Sequence, residues 1–164
     1  MDLTKRATGT RIGNVGKRPL PPNVVSAAFE PPPEGVSFTF DSGKEKNRTM
    51  MGVTVAQAYE LARAEGASFV GANCGVGIES YIQVAQEFAR CGKDLPIWIK
   101  GNAGIPEVGP DGRTVYKATP ETFAKAAPLL VEAGARFIGG CCGSTPAHVR
   151  ALAGALSKLG GFHS

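Results

Sequence analysis

Three of the four cysteines in this 164-residue chain lie in segments whose composition suits metal chemistry. Cys74 ends the run Gly71-Ala72-Asn73-Cys74, and Cys141 and Cys142 are adjacent in a glycine-rich segment over residues 139–143. Zinc accepts thiolates in tetrahedral geometry, and a catalytic zinc site keeps three protein ligands with a fourth position open. The three cysteines therefore predict one zinc site that leaves room for a substrate.

The glycines around the cysteine pair have a physical role. Adjacent residues on an extended strand point to opposite faces, so Cys141 and Cys142 can share one metal only if the chain leaves strand geometry there. Gly139, Gly140 and Gly143 permit such a turn. Three thiolates on one divalent zinc leave a net charge of −1, and a substrate thiol bound in the fourth position would be deprotonated at neutral pH.

Two other readings of the cysteines remain open at this point. Free cysteines are often small apolar residues of the core, and the adjacent pair could be a redox couple, although its disulfide would close a strained ring. Cys91, beside Gly92 at an expected helix end, is interpreted as apolar packing. His148 and His163 are interpreted as solvated side chains rather than metal ligands.

The elements that must position these cysteines form a fourfold alternation of strand and helix. Apolar alternation and helical periodicity predict strands at residues 36–40, 69–72, 97–99 and 136–139, and helices at 54–65, 78–90, from 119 and from 145. The expected apolar stripes are Val55, Ala58, Tyr59 and Ala62 in the first helix, Tyr81, Val84, Ala85 and Phe88 in the second, and Val149, Leu152, Ala153 and Leu156 in the last. Consecutive βα units without hairpins imply a parallel sheet. Functional groups of such sheets collect at the carboxyl ends of the strands, where the cysteines lie.

Composition and charge limit the remaining possibilities. A chain that is 43% hydrophobic and 20% charged is typical of a globular protein. Residues 1–35, rich in proline and glycine and basic at their start, are predicted to be an extended segment, and residues 36–160 a single domain. The basic segment lacks interleaved aromatics, which disfavours nucleic acid, and nothing indicates a membrane span or a signal. We therefore expect a cytoplasmic protein, whose reduced cysteines suit metal binding.

Four segments together resemble the zinc-dependent homocysteine S-methyltransferases, which include the homocysteine domain of cobalamin-dependent methionine synthase and betaine-homocysteine methyltransferase. They are residues 36–40, 71–74, 101–104 with Asp111, Gly112 and Tyr116, and 139–146. The resemblance covers about residues 36–158, and its two cysteine motifs are highly specific in combination. It implies an α/β fold, a parallel (β/α)4 half of a TIM-type (β/α)8 barrel.

The resemblance also implies a function. Cys74, Cys141 and Cys142 would hold zinc, homocysteine sulfur would be the fourth ligand, and methyl transfer to it would give methionine. Asn73, Asn102 and Tyr116 would lie around the site and bind substrate, although each could instead serve loop structure. The methyl donor could be a methyl-corrinoid, with a corrinoid protein as a partner, or methyltetrahydrofolate.

Two departures from the family pattern have consequences. Gly101 replaces the usual proline before Asn102, and the chain resembles only the half of the family barrel that holds strands five to eight. Four strands leave two open edges and an uncovered inner face. We therefore expect a homo-oligomer, with a dimer favoured, or pairing with a separate N-terminal half-barrel subunit. The alternative function is a noncatalytic zinc- or thiol-binding half-barrel module that pairs with another half.

Overall fold

A computed structural model describes residues 33–159 of the chain. The elements in chain order are β1 (Gly35–Phe38), α1 (Val55–Ala64), β2 (Phe69–Cys74), α2 (Tyr81–Cys91), β3 (Ile97–Gly101), β4 (Glu107–Val108), β5 (Thr114–Val115), α3 (Pro120–Glu132), β6 (Ala135–Gly140) and α4 (Pro146–Ser157). Nearly all of the predicted N-terminal segment, and His163, lie outside the described residues. None of the described helices is long and apolar enough to cross a membrane.

The main sheet contains four strands in the order β1-β2-β3-β6, and every neighbouring pair is parallel. Neighbours in the sheet are therefore also successive strands of the fourfold alternation, as the sequence predicts. This order differs from a doubly wound sheet, in which the strand order reverses at a switch point. It is the order of consecutive units in a (β/α) barrel.

The helices cover one face of the sheet. Val70 and Ala72 of β2 and Ile97 and Ile99 of β3 are buried against them. The other face, which we call the inner face, carries Ser37, Phe69, Asn73, Trp98, Lys100 and Phe137 by strand alternation. Phe137 is 53% exposed there. The arrangement is a parallel α/β layer consistent with part of a TIM-type barrel.

Three of the four helix starts and two of the helix stripes agree with the sequence, whereas α2 begins at Tyr81, three residues later than predicted. Thr54, Thr119 and Thr145 each occupy the N-cap position, and proline follows the last two. The predicted stripe of α1 is buried, as is that of α2, where Tyr81, Val84, Ala85 and Phe88 face the core. Periodicity alone therefore identified the core side of both helices.

The stripe predicted for α4 is right at Leu152 and Leu156, which pack in or against the core, and wrong at Val149 and Ala153. Val149 is 50% exposed and Ala153 is also exposed, whereas His148 and Leu152 are buried. The expectation that His148 is solvated is likewise wrong. Its Nδ1 accepts from the Thr145 amide at 3.1 Å, so Nε2 carries the proton and donates to the Ala118 carbonyl at 3.0 Å. A buried imidazole with both nitrogens bonded can therefore replace an apolar residue in the stripe.

The segment between β3 and α3 is also more regular than predicted. It contains the antiparallel pair of β4 and β5, so the expectation of βα units without intervening hairpins is wrong there. The turn is closed by a 2.9 Å bond from the Gly112 amide to the Gly109 carbonyl, and Gly112 has a φ of 76°. Such a two-residue strand pair produces no detectable apolar alternation, which explains why periodicity missed it.

Candidate metal centre

The carboxyl ends of β2 and β6 bring the three cysteines together. Cys74 is in register with Gly101 of β3, and Gly101 is in register with Gly140, one residue before Cys141. The Sγ atoms of Cys74, Cys141 and Cys142 all lie within 4.8 Å of one another. Residues separated by 67 positions in the sequence thus form one cluster at the edge of the sheet.

A left-handed backbone at Cys74 accompanies this convergence. Its φ is 60°, one of two positive values at non-glycine residues in the described chain. Such a conformation destabilises a non-glycine residue by roughly 1–3 kcal/mol unless surrounding contacts hold it. Here the Asn102 amide donates to the Cys74 carbonyl at 3.1 Å. On the other side of the cluster Gly143 has a φ of 77°, which glycine adopts without strain.

The thiols of Cys74 and Cys141 interact directly. Their Sγ atoms are 3.2 Å apart, and the described cysteines are all free thiols. The hydrogen bond with Cys141 and then burial raise the pKa of Cys74. For Cys141 burial acts in the opposite sense, but hydrogen bonds from Cys74 and from the Cys142 backbone outweigh it and lower the pKa. These opposite shifts in pKa make Cys141 the more acidic of the two thiols.

The donor set suits a thiophilic metal ion. Tetrahedral zinc with Zn–S bonds of about 2.3 Å requires sulfurs roughly 3.8 Å apart. The 3.2 Å contact and the 4.8 Å limit lie on either side of that value, so small side-chain rotations suffice. Cys142 is exposed, which leaves one side of the cluster open to a fourth ligand. The residues present therefore fit a metal ion with an open coordination position.

Asn102 connects the two cysteine-bearing loops. Its Nδ2 donates to the Gly75 carbonyl at 2.9 Å, and its Oδ1 accepts from the Cys142 amide at 3.0 Å. The residue is only 7% exposed. The next amide in the chain, of Ala103, donates to the Cys142 carbonyl at 2.9 Å. Asn102 thus bonds Gly75, which follows Cys74, and the backbone of Cys142. These two bonds fix the distance between the loops.

The other two predicted binding residues also lie at this edge. Asn73 accepts from the Ser37 hydroxyl at 2.7 Å, and its Nδ2 lies 3.3 Å from the Cys74 Sγ. The ring of Tyr116 packs against Gly143 so closely that a Cβ at Gly143 would overlap it. Asn73 is therefore placed beside a candidate ligand, and Tyr116 supports the loop that carries the cysteine pair.

Sequence reasoning missed the contribution of Tyr81. Its hydroxyl donates to the Asn73 carbonyl at 2.6 Å, directly before Cys74 in the chain. Burial is the main cause that raises the pKa of Tyr81, so the phenol stays protonated and remains a donor. A tyrosine in the first turn of the helix after a cysteine-ended strand is the signal that could have identified it. Cys91, by contrast, donates to the Glu87 carbonyl and is not part of the cluster.

Comparison with protein families and with curated proteins finds similarity to enzymes of homocysteine methylation. A family model described as homocysteine S-methyltransferase matches residues 23–156. Methionine synthase from Mycobacterium tuberculosis is 31% identical over 111 residues, which cover 67% of this chain and 9% of that protein. Methionine synthase from Mycobacterium leprae is 30% identical over 113 residues, with 66% and 9% covered. The chain thus spans about a tenth of the length of these curated relatives.

The fold also resembles that of a solved protein, the apo form of the homocysteine methyltransferase MmuM from Escherichia coli. The TM-score is 0.52 and the identity 24%, and the match covers 71% of this chain and 39% of that one. At this identity the likeness concerns the fold. It agrees with a four-unit part of a larger α/β domain.

Proposed function

Because this chain belongs to the homocysteine S-methyltransferase family, we propose that it binds one zinc ion through Cys74, Cys141 and Cys142 and activates the homocysteine thiol for methyl transfer. The observation that carries the proposal is the convergence of the three Sγ atoms within 4.8 Å. When bound, zinc would lower the pKa of a coordinated thiol so that it is a thiolate at neutral pH.

The residues of the chain have distinct tasks in this proposal. The three cysteines hold the ion, Asn102 keeps their loops at a fixed distance, and the open side at Cys142 admits the substrate. The thiol proton leaves to solvent on binding. The substrate sulfur then forms a bond to the methyl carbon, and the donor departs with the electron pair of the broken bond, which gives methionine. The donor we propose is a methyl-corrinoid, or methyltetrahydrofolate acting through one.

Metal analysis of the purified chain with its cysteine variants tests this proposal. We expect one zinc per chain, loss of zinc in Cys142→Ala, and retention in Cys91→Ala, since Cys91 lies outside the cluster. Methionine should form from homocysteine and methylcobalamin with wild type and with Cys91→Ala, but not with Cys142→Ala. A chain that retains no zinc after expression with zinc, or retains it equally in all three forms, would contradict the proposal.

A noncatalytic zinc- or thiol-binding module is the second candidate. It is favoured by the four strands of the sheet and by the match to 39% of the solved homocysteine methyltransferase. Both candidates require the same metal site, so turnover separates them. Stoichiometric zinc and thiol binding without methionine from any methyl-corrinoid, folate, betaine or S-methylmethionine donor would support the module.

A further inference from the structure

Lys100 is the charged residue on the inner face next to the cysteine cluster. It is in register with Asn73 of β2 on one side and with Gly139 of β6 on the other. Asn73 contacts the Cys74 Sγ at 3.3 Å, so the cluster borders the inner face at this row of residues. Lys100 therefore lies one residue before Gly101, the β3 residue that is in register with Cys74.

The ammonium group of Lys100 has no acidic partner among the described residues. The ion pairs found there are Arg63 with Glu60, Arg113 with Asp111 and Lys117 with Glu107. Its contact is with the Trp98 ring, whose centroid is 5.2 Å from Nζ. The described strand residues of the inner face include no carboxylate that could reach it. A half-buried cation held only by an aromatic ring can accept an anion from outside the chain.

The surroundings leave space for such an anion. Gly139 has no side chain, and among the described residues a Cβ there would contact the Lys100 Cγ alone, at 3.6 Å. One residue along a strand corresponds to about 3.3 Å, so the flexible four-carbon stem can carry the ammonium from Trp98 toward the cluster. In homocysteine four bonds separate the sulfur from the carboxylate carbon. A thiol bound at the cluster can therefore extend its carboxylate toward Lys100.

We propose that Lys100 binds the carboxylate of the amino-acid thiol and so selects amino acids over simple thiols. The inference rests on the proposed function, because it takes the substrate sulfur to lie at the cysteine cluster. It assigns to Lys100 a substrate-binding role. Neutralising the lysine should remove a charge-assisted contact to the carboxylate and leave contacts to the sulfur unchanged.

Thiol titration of the cobalt-substituted full chain, followed by its thiolate-to-cobalt absorption, tests the role of Lys100. L-homocysteine is compared with 3-aminopropane-1-thiol, which has the same sulfur and amine but no carboxylate. Wild type should bind homocysteine about 10-fold to 100-fold more tightly than it binds 3-aminopropane-1-thiol. Lys100→Met should abolish that preference by weakening homocysteine alone, and Lys100→Arg should retain part of it. Lys93→Met, in the exposed bend before β3, is the matched control and should behave as wild type.

The outcomes separate the two proposals. Equal affinity of wild type for both thiols, or an equal loss for both in Lys100→Met, would overturn the role of Lys100 and leave the metal site standing. A wild-type chain that binds cobalt but shows no thiolate absorption with either thiol would overturn the proposed function and this inference with it. Binding rather than turnover is measured, so the result does not depend on a methyl donor.

Discussion

Asn102 is the residue whose side chain does most to define the cysteine cluster without belonging to it. One amide group satisfies the Gly75 carbonyl and the Cys142 amide, each beside a different part of the cluster. Truncation would leave both backbone groups without these partners in a site that is only 7% exposed. Mutation of a residue that orients metal ligands typically weakens metal affinity by about 10-fold to 100-fold.

We therefore predict that Asn102→Ala binds zinc about 10-fold to 100-fold more weakly than wild type while it keeps the same stoichiometry. Competition with a chromophoric chelator measures the affinity. Asn47→Ala is the control, because the Asn47 amide bonds Glu87 on α2 instead of a cysteine loop. Equal zinc affinity of all three proteins would show that the two loops keep their spacing without the side chain of Asn102.

At the scale of elements, one hydrogen bond connects α1 to the turn before β3. The Tyr59 hydroxyl donates to Asp94 Oδ1 at 2.8 Å. This bond is the main cause that lowers the pKa of Asp94. A carboxyl whose folded pKa lies below its unfolded pKa stabilises the fold above the unfolded value, and the contribution is lost as the pH falls through the folded value. The bond should therefore matter at neutral pH and fade in acid.

We predict that Tyr59→Phe lowers the free energy of unfolding at pH 7, and that the difference from wild type shrinks below the ordinary carboxyl pKa of 3.8. Urea unfolding at pH 7, 5 and 3 measures it. Tyr116→Phe is the matched control, since the Tyr116 hydroxyl has no hydrogen-bond partner within residues 33–159. A Tyr59→Phe deficit that stays constant from pH 7 to pH 3 would mean that Asp94 is not the group responsible.

The same scale shows what the sequence could and could not predict. The core sides of α1 and α2 followed from periodicity because their stripes consist of aliphatic and aromatic residues alone. In α4 a histidine takes an apolar position, and its burial depends on the Ala118 carbonyl, 30 residues earlier in the chain. The convergence of the cysteines followed from the rule that the carboxyl ends of neighbouring parallel strands lie on the same side of the sheet. The left-handed Cys74 and the bonds of Asn102 depend on tertiary contacts, which no local pattern encodes.

The whole molecule has one sheet face that its described helices do not cover. Phe69 lies 5.4 Å from Trp98 and 6.4 Å from Phe137 between ring centroids, and with Pro33 these rings line an apolar groove of about 340 Å³. β1 and β6 form the two edges of the sheet. Exposed apolar patches and open parallel edges both favour association.

We propose that a second copy of the chain covers this face in purified solution. The uncovered face of each copy would then pack against the uncovered face of the other. Two copies supply eight strands, a number at which barrel side chains just fill the interior. Phe69 and Phe137 come from alternate strands, so two copies would contribute four phenylalanines to one interior layer. Closure of this kind would pair each β1 edge with the β6 edge of the other copy.

Light scattering of the eluting protein measures the mass. We expect twice the 17.0 kDa of the chain for wild type and a monomer for Phe137→Asp, because dimerisation would bury a charged carboxylate in an apolar layer. Val149→Asp is the matched control: Val149 is 50% exposed on α4, against 53% for Phe137, and the dimer should persist. A monomeric, non-aggregating wild type would contradict self-closure and leave a separate half-barrel subunit as the complement to seek. Dissociation by both substitutions alike would place the contact on the helices, away from the inner face.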